Sequence, residues 1–199
     1  VVHNGIIENY LELKEDLADQ GHQFLSQTDT EVAAHIIGSE YEKGVSIEEA
    51  VRLGVRKLRG AYALVVVSKT EPGKIVCARN ASPLVIGLGE NENLLASDIP
   101  ALLPYTRNVV ILEEDQFAVI EQTKVRIFDE NGRDVPLKIM HIDWDMAAAE
   151  RGGYEHFMLK EIHEQPEVIR QCLAGRLDEN NFVRIEQLAP FHVGAVKAV

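Results

Sequence analysis

The chain has 199 residues, 46% of them hydrophobic and 26% charged, so a folded domain with a packed core is expected rather than a disordered chain. Its 20 Lys and Arg residues against 32 Asp and Glu residues give a net charge of −12, which argues against binding nucleic acid or an anionic membrane through a broad basic surface. The longest apolar run, Ala61–Val67, suits a strand and is too short to span a membrane.

The first third of the sequence predicts three helices. Tyr10, Leu13 and Leu17 fall at helical spacing before Gly21, and Phe24-Leu25 follows as a short predicted strand. Thr28–Glu31 has the form of a capping box and predicts the start of a second helix.

The same capping pattern recurs at Ser46–Glu49 and predicts a third helix, which we expect to close at Gly60. Beyond Gly60 the period changes to that of short strands joined by turns. The predicted strands are Ala61–Ser68, Lys74–Arg79, Pro83–Leu88, Leu94–Ser97, Val109–Leu112, Phe117–Glu121 and Val125–Phe128. This order predicts an α+β fold of antiparallel sheets with helices grouped on a face.

The last part of the chain changes composition again. Ala147–Gly153 resembles a linker. Phe157–Leu173 predicts a helix that is either bent at Pro166 or begins there, and that is capped by Gly175. The chain starts without Met at a strand-like Val1-Val2, so we expect it to be a piece of a longer polypeptide.

The sequence does not match the common catalytic and metal-binding motifs completely. Gly87–Glu92 begins like a dinucleotide loop but lacks the third glycine, so we expect a hairpin turn there. His156 and His163 could share a helical face, but two ligands do not define a metal site, and we expect no cofactor. Cys77 and Cys172 are too few for a disulfide scaffold, and no signal-peptide pattern is present, so we expect a cytoplasmic protein.

Two interpretations of His3-Asn4-Gly5 stay open. Asn-Gly is a strong local turn signal, and the pattern alone favours a tight turn. Alternatively, the Asn4 carboxamide and the Gly5 N–H form a pair of neutral donors for the negative oxygen that develops when an acyl group is attacked. Asp29 likewise either interacts with the helix dipole or binds a ligand ammonium group, and we expect Glu31 to serve the helix cap.

Several segments together resemble one enzyme family. They are Val1–Asn9, Thr28–Glu31, Leu58–Ala63, Ser82–Gly89, Ala96–Asp98 and His156–Pro166. From Val1 to about Arg176 the chain resembles the isomerising glutamine–fructose-6-phosphate aminotransferases, also called glucosamine-6-phosphate synthases. The His156–Pro166 segment is specific to this family, whereas the first two segments are shared by related glutaminase domains.

The resemblance implies a class II glutamine amidotransferase fold of the N-terminal-nucleophile type, an αββα sandwich that is partial here and is followed by a C-terminal helical segment. It implies that a terminal cysteine attacks the glutamine amide, with Asn4 and Gly5 as the oxyanion hole and Asp29 holding the α-amino group. Ammonia would then pass to an isomerase domain that converts fructose 6-phosphate to glucosamine 6-phosphate, and we expect a homodimer through that domain.

The family's nucleophilic cysteine and its neighbouring segment are not among these residues. Cys77 and Cys172 do not stand at its position, so we expect both to be packing residues and the chain alone to be inactive. We assign residues 1–152 to the C-terminal portion of the glutaminase domain and 153–199 to a linker and the first helical segment of the isomerase domain. Another class II amidotransferase, such as an amidophosphoribosyltransferase, and a non-catalytic interaction domain are the alternatives.

Overall fold

The computed structural model describes residues 1–143 and 152–176. The chain divides into two compact units, Val1–Trp144 and Asp145–Val199. Most of the predicted linker Ala147–Gly153 lies outside the described residues. Among the helices of the described ranges, none has the length and apolarity that crossing a membrane requires.

Three helices form in the first unit where the apolar periodicity predicts them. They are α1 (Tyr10–Asp19), α2 (Asp29–Tyr41) and α3 (Ile47–Val55). Ser46 caps α3 as predicted, because its side chain accepts a hydrogen bond from the Glu49 N–H.

The described residues of this unit also form short strands, and each predicted strand after residue 60 is confirmed to within two residues at either end. They are β1 (Val2–Ile7), β2 (Gly60–Val67), β3 (Ile75–Asn80), β4 (Val85–Leu88), β5 (Asn93–Ala96), β6 (Asn108–Ile111), β7 (Phe117–Ile120), β8 (Val125–Phe128), β9 (Asp134–Val135) and β10 (Met140–His141). The segment Gly89–Glu92 is the β4–β5 hairpin turn, closed by the Gly89 N–H on the Glu92 carbonyl, as predicted.

The strands pair into two antiparallel sheets. A six-stranded sheet has the order β1-β2-β3-β7-β8-β9, and a four-stranded sheet has the order β10-β6-β4-β5. Strand β1 therefore stands at one edge of the larger sheet, with β2 as its partner in the register Val2↔Val65 to Ile7↔Gly60.

The central strands β2, β3 and β7 of the larger sheet are buried on both faces, because their side chains alternate between two cores. On β3, Val76 and Ala78 pack against the helices, whereas Cys77 between them packs in the core that joins the two sheets. The outer face of the smaller sheet packs against Leu102 and Leu103. The α+β class is confirmed as a helical layer on two stacked sheets, and the second helical layer of the predicted sandwich is not found among residues 1–143.

Two local predictions are wrong. Phe24-Leu25 is not a strand, and Leu25 is 94% exposed in a loop between α1 and α2. Gly60 does not close a helix, since α3 ends at Val55 and Gly60 is the first residue of β2. A Cβ at Gly60 would lie 2.3 Å from the Ile6 carbonyl oxygen, so the close pairing of β1 and β2 explains this glycine.

The second unit, described over residues 152–176, contains the predicted helix with the predicted bounds, here named α4 (Phe157–Leu173). Pro166 lies inside this helix, so the helix does not begin at Pro166. Its apolar side chains, among them Phe157, Met158 and Ile162, are exposed.

Candidate active site

Asn4 and Gly5 lie in an edge strand and not in a turn. Both belong to β1, where Asn4 is paired with Ala63 and Gly5 with Tyr62, and both are exposed. The prediction of a tight turn at His3-Asn4-Gly5 is therefore wrong. The turn of the chain follows at Glu8 and Asn9, just before α1.

Close contact with β2 explains why residue 5 is glycine. Its φ is +128°, and a Cβ there would lie 2.0 Å from the Ala61 carbonyl oxygen. No L side chain fits so near to a backbone oxygen, and this φ also disfavours every residue except glycine.

The pairing pattern of β1 directs the Gly5 N–H to the open edge of the sheet. In an antiparallel pair, residues alternate between facing the partner strand and facing away from it. The Glu8 N–H donates to the Arg59 carbonyl at 2.8 Å, whereas the Ile7 N–H turns away from β2 and donates to Asp29. Gly5, two residues before Ile7, has the same place in this alternation, so its N–H faces away from β2, towards the strand edge.

The Asn4 side chain emerges on the opposite face of the strand from its neighbours His3 and Gly5. Directly paired residues share a face of the sheet, and Ala63, the partner of Asn4, packs in the core between the two sheets. Asn4 therefore points to the side of the second sheet, at an uncovered position. Asn4 and Gly5 are thus adjacent, exposed residues of the same edge strand.

Asp29 is held against the same strand. It is the first residue of α2, and its Oδ2 accepts the Ile7 N–H at 2.9 Å. The carboxylate thus sits at the edge of β1, two residues from Gly5, which corresponds to about 7 Å along an extended strand. Its side chain is 23% exposed, so the carboxylate remains accessible to a ligand.

His3 joins this group from the helix-facing side of β1. Its side chain is only 2% exposed, with Nδ1 3.0 Å from Thr30 Oγ1 and 3.6 Å from Asp29 Oδ1. The residue belongs to the predicted motif, but no role could be assigned to it. The reason is that its partners lie more than twenty-five residues away in the sequence.

Glu31 does not serve the helix cap as predicted. Its carboxylate accepts the N–H groups of Leu25 and Ser26, both at 2.7 Å, and the Ser26 hydroxyl at 2.5 Å. Thr28 is the N-cap residue by position, but its hydroxyl contacts Ser26 Oγ and makes no cap hydrogen bond. Glu31 thus fixes the loop that leads into Asp29, and the donors from Leu25 and Ser26 lower its pKa to about 2.

This pKa predicts how stability depends on pH. The pKa of Glu31 is about 4.5 when the chain is unfolded and about 2 in the folded protein. Its stabilising effect is therefore complete above pH 4.5 and is lost as the pH falls towards 2. We expect Glu31→Gln to lower the melting temperature at pH 6 and to flatten its fall between pH 4.5 and 2.5, as measured by thermal unfolding at a series of pH values.

A control for this measurement lies on α1. Glu12 is an exposed glutamate whose contact with Arg59 is long, at 3.6 Å. Glu12→Gln should follow the wild-type curve, and a Glu31→Gln curve parallel to wild type would contradict the role of Glu31.

The two cysteines differ in environment. Cys77 is completely buried in β3, and burial raises the pKa of its thiol to about 12, so it is a packing residue as predicted. Cys172 is exposed on α4, so the prediction that it packs is wrong for the described residues. Within the first unit, Cys77 lies on β3, which β2 separates from β1, so it is not placed with Asn4 and Gly5.

Within residues 1–143, the candidate site lies along the edge strand β1. A cavity of about 320 Å³ is lined by residues of α3 and the segment after it, of β2 and β3 and of the start of β7, among them Arg52, Arg56 and Arg79. A second cavity, of about 450 Å³, lies by the β2–β3 and β4–β5 turns. Neither lining includes a predicted site residue, and no group of three or more possible metal ligands occurs in residues 1–143 and 152–176.

Comparison with known proteins identifies the family. The model of the family described as "Glutamine amidotransferase domain" matches residues 1–104. The chain is 57% identical over 178 residues to the glutamine–fructose-6-phosphate aminotransferase [isomerizing] of Symbiobacterium thermophilum, covering 89% of this chain and 29% of the relative. It is 46% identical over 188 residues to the enzyme of the same name from Clostridium tetani, covering 94% of this chain and 31% of the relative. The chain thus spans about 30% of the length of these curated relatives.

A solved structure supports the fold. Glutamine phosphoribosylpyrophosphate amidotransferase from B. subtilis, complexed with ADP and GMP, superimposes with a TM-score of 0.58 at 24% identity, over 65% of this chain and 28% of that one. The predicted class II amidotransferase fold and the resemblance seen in the motifs are both confirmed. With more than half of its residues matched by the family model, the chain belongs to the glutamine amidotransferase domain family.

Proposed function

We propose that the protein containing this chain hydrolyses glutamine and delivers the ammonia to fructose 6-phosphate, forming glucosamine 6-phosphate and glutamate. The observation that carries the proposal is the edge of β1, where the outward-facing N–H of Gly5, the carboxamide of Asn4 and the anchored carboxylate of Asp29 lie along one strand. The curated relatives at 46–57% identity, named for fructose 6-phosphate, support the choice of acceptor.

The chemistry follows from the donors. A thiolate attacks the side-chain amide carbon of glutamine, and the carbonyl oxygen becomes an oxyanion bound by the Asn4 carboxamide N–H and the Gly5 N–H. The proton given up by the thiol passes to the amide nitrogen, which leaves as ammonia, and the remaining glutamyl thioester is hydrolysed by water to glutamate and the free thiol. Because the Cys77 thiol is buried with a pKa of about 12, we propose a cysteine outside residues 1–199 as the nucleophile.

Asp29 sets which substrate is held. Its carboxylate, tied to the Ile7 N–H, lies two residues along β1 from Gly5, a separation of about 7 Å in an extended strand. We propose that Asp29 binds the ammonium group, and that this contact orients the amide against Asn4 and Gly5.

Replacing Asp29 should chiefly weaken glutamine binding. We expect Asp29→Ala to raise KM for glutamine at least about tenfold, with a smaller change in kcat. Asp29→Asn keeps an acceptor for the Ile7 N–H, and we expect the same effect from it. Steady-state glutaminase assays on the protein expressed from its complete gene measure this. Asp19→Asn, an exposed change at the end of α1, is the control, and a wild-type KM in both Asp29 variants would remove the residue from the site.

Which molecule accepts the ammonia can be tested by offering the protein different substrates. Full-length protein given glutamine should form glucosamine 6-phosphate from fructose 6-phosphate. The second candidate, an amidophosphoribosyltransferase, is favoured only by the fold likeness at 24% identity. Glutamine-dependent consumption of phosphoribosyl pyrophosphate in place of fructose 6-phosphate would select that function, and reaction with neither would favour an interaction domain.

The domain assignment is part of the proposal. We propose that residues 1–152 belong to the glutaminase domain and 153–199 to a linker and the first helical segment of the isomerase domain. The exposed apolar side chains of α4 support this, since a helix with that many exposed apolar residues is typical of a surface that packs against further structure. The homodimer through the isomerase domain and the cytoplasmic location remain predictions.

A further inference from the structure

His3 is a buried polar residue to which the proposed reaction assigns no task. Its side chain is 2% exposed, and Nε2 has no hydrogen-bond partner among the described residues. Its other ring nitrogen, Nδ1, faces two oxygens of α2, Thr30 Oγ1 at 3.0 Å and Asp29 Oδ1 at 3.6 Å. Buried polar groups that are only half satisfied are uncommon and call for an explanation.

The contacts of the ring assign its tautomer. Because the Asp29 carboxylate can only accept, we assign the ring proton to Nδ1, which then donates to Thr30 Oγ1 and faces Asp29 Oδ1. Nε2 is then a bare acceptor, and no buried N–H is left without a partner. The positive side of the ring dipole therefore faces the carboxylate.

Together, two contacts fix the carboxylate from two sides. The Ile7 N–H holds Asp29 Oδ2 at 2.9 Å, and the His3 ring stands beside Oδ1. His3 and Ile7 lie on the same face of β1, two positions either side of Gly5, so one strand carries both the oxyanion donor and the supports of the carboxylate. A shift of β1 would move both ends of the site together.

We propose that His3 is a positioning residue that holds Asp29, with Thr30, in the geometry that recognises the α-ammonium group of an amino-acid substrate. This inference rests on the proposed function and deepens it. It predicts that His3 contributes to selection of α-amino acids over otherwise identical dicarboxylates and not to the acyl-transfer chemistry itself.

The test compares two ligands that differ only in the ammonium group. Dissociation constants for L-glutamate and for glutarate are measured by calorimetry on the protein expressed from its complete gene, with glutamine hydrolysis recorded separately. The ratio of the two constants does not depend on the fraction of folded protein, so a partly unfolded variant still reports on selection.

Two variants of His3 distinguish the roles of the two ring nitrogens. In His3→Asn the amide occupies the position of Nδ1 and keeps a donor for Asp29 and Thr30, whereas in His3→Gln the amide lies at the position of Nε2. We expect His3→Gln and Thr30→Val to reduce the preference for L-glutamate over glutarate about tenfold, as loss of support for one charge-assisted contact would do. We expect His3→Asn to retain most of the preference.

A double variant and a control complete the design. If His3 acts through Asp29, His3→Gln adds nothing to the loss of preference already caused by Asp29→Asn. His141→Gln, at an exposed histidine of β10, should change nothing.

Each outcome has a distinct meaning. An unchanged ratio in His3→Gln, in a protein whose wild type hydrolyses glutamine, overturns this inference and leaves the proposed function in place. Equal loss in His3→Asn and His3→Gln also overturns it, since the ring would then serve packing alone. A wild type that neither hydrolyses glutamine nor binds L-glutamate overturns both.

Discussion

Asn4→Ala should lower kcat for glutamine hydrolysis about a hundredfold or more, because the variant loses one of two donors to the developing oxyanion. The effect should appear in kcat and not in KM, since the donor is aimed at charge that is absent from the bound amide. The side chain is exposed and has no hydrogen-bond partner among the described residues, so the fold should not suffer. Steady-state kinetics on the protein expressed from its complete gene, with a thermal melt alongside, measure both expectations.

The same chemical change elsewhere is the control. Asn91 is an exposed asparagine in the β4–β5 turn, on the smaller sheet. Asn91→Ala should keep wild-type kinetics. A kcat for Asn4→Ala within twofold of wild type would remove Asn4 from the reaction.

The largest effect on stability is expected from Gly5→Ala. The added Cβ would lie 2.0 Å from the Ala61 carbonyl oxygen and 2.9 Å from the Tyr62 Cα, both in the backbone of the paired strand. Neither atom can move without breaking the β1–β2 pairing, and the φ of +128° adds strain. Steric overlap and strain together should cost at least about 3 kcal/mol.

A second glycine offers the matched comparison. Gly38 lies in α2, where a Cβ would meet nothing within 4 Å. Gly38→Ala should raise stability by up to about 1 kcal/mol, because alanine favours the helix. Chemical denaturation of both variants measures this, and a Gly5→Ala protein as stable as wild type would show that β1 is not paired as described.

Most of the fold could be predicted from local patterns. The bounds of β8 and α4 coincide with those predicted, since strand alternation and helical spacing are properties of the segments themselves. At Asn4-Gly5 the local sequence favoured a tight turn, but the two residues lie in strand β1. There the glycine serves close approach of β2, a contact made by residues more than fifty positions away.

The candidate site could be predicted in part, as far as it depends on residue types at single positions. The residue types at positions 4, 5 and 29 suggested donors and a carboxylate, and the structure places all three along one strand edge. Glu31 matched the pattern of a capping box, but the loop N–H groups compete for its carboxylate, and sequence spacing cannot rank such partners. The role of His3 depends on a contact across the β1–α2 interface and so required the structure.

The donors to the oxyanion would be seen directly in a crystal structure of the protein expressed from its complete gene and treated with L-glutamate γ-semialdehyde, an aldehyde analogue that a thiol converts to a tetrahedral adduct. The adduct oxygen should lie within about 3.1 Å of both the Asn4 carboxamide nitrogen and the Gly5 backbone nitrogen, with the α-ammonium group on Asp29. An adduct oxygen bound by other donors, with Asn4 and Gly5 facing only solvent, would show that these two residues do not form the oxyanion hole.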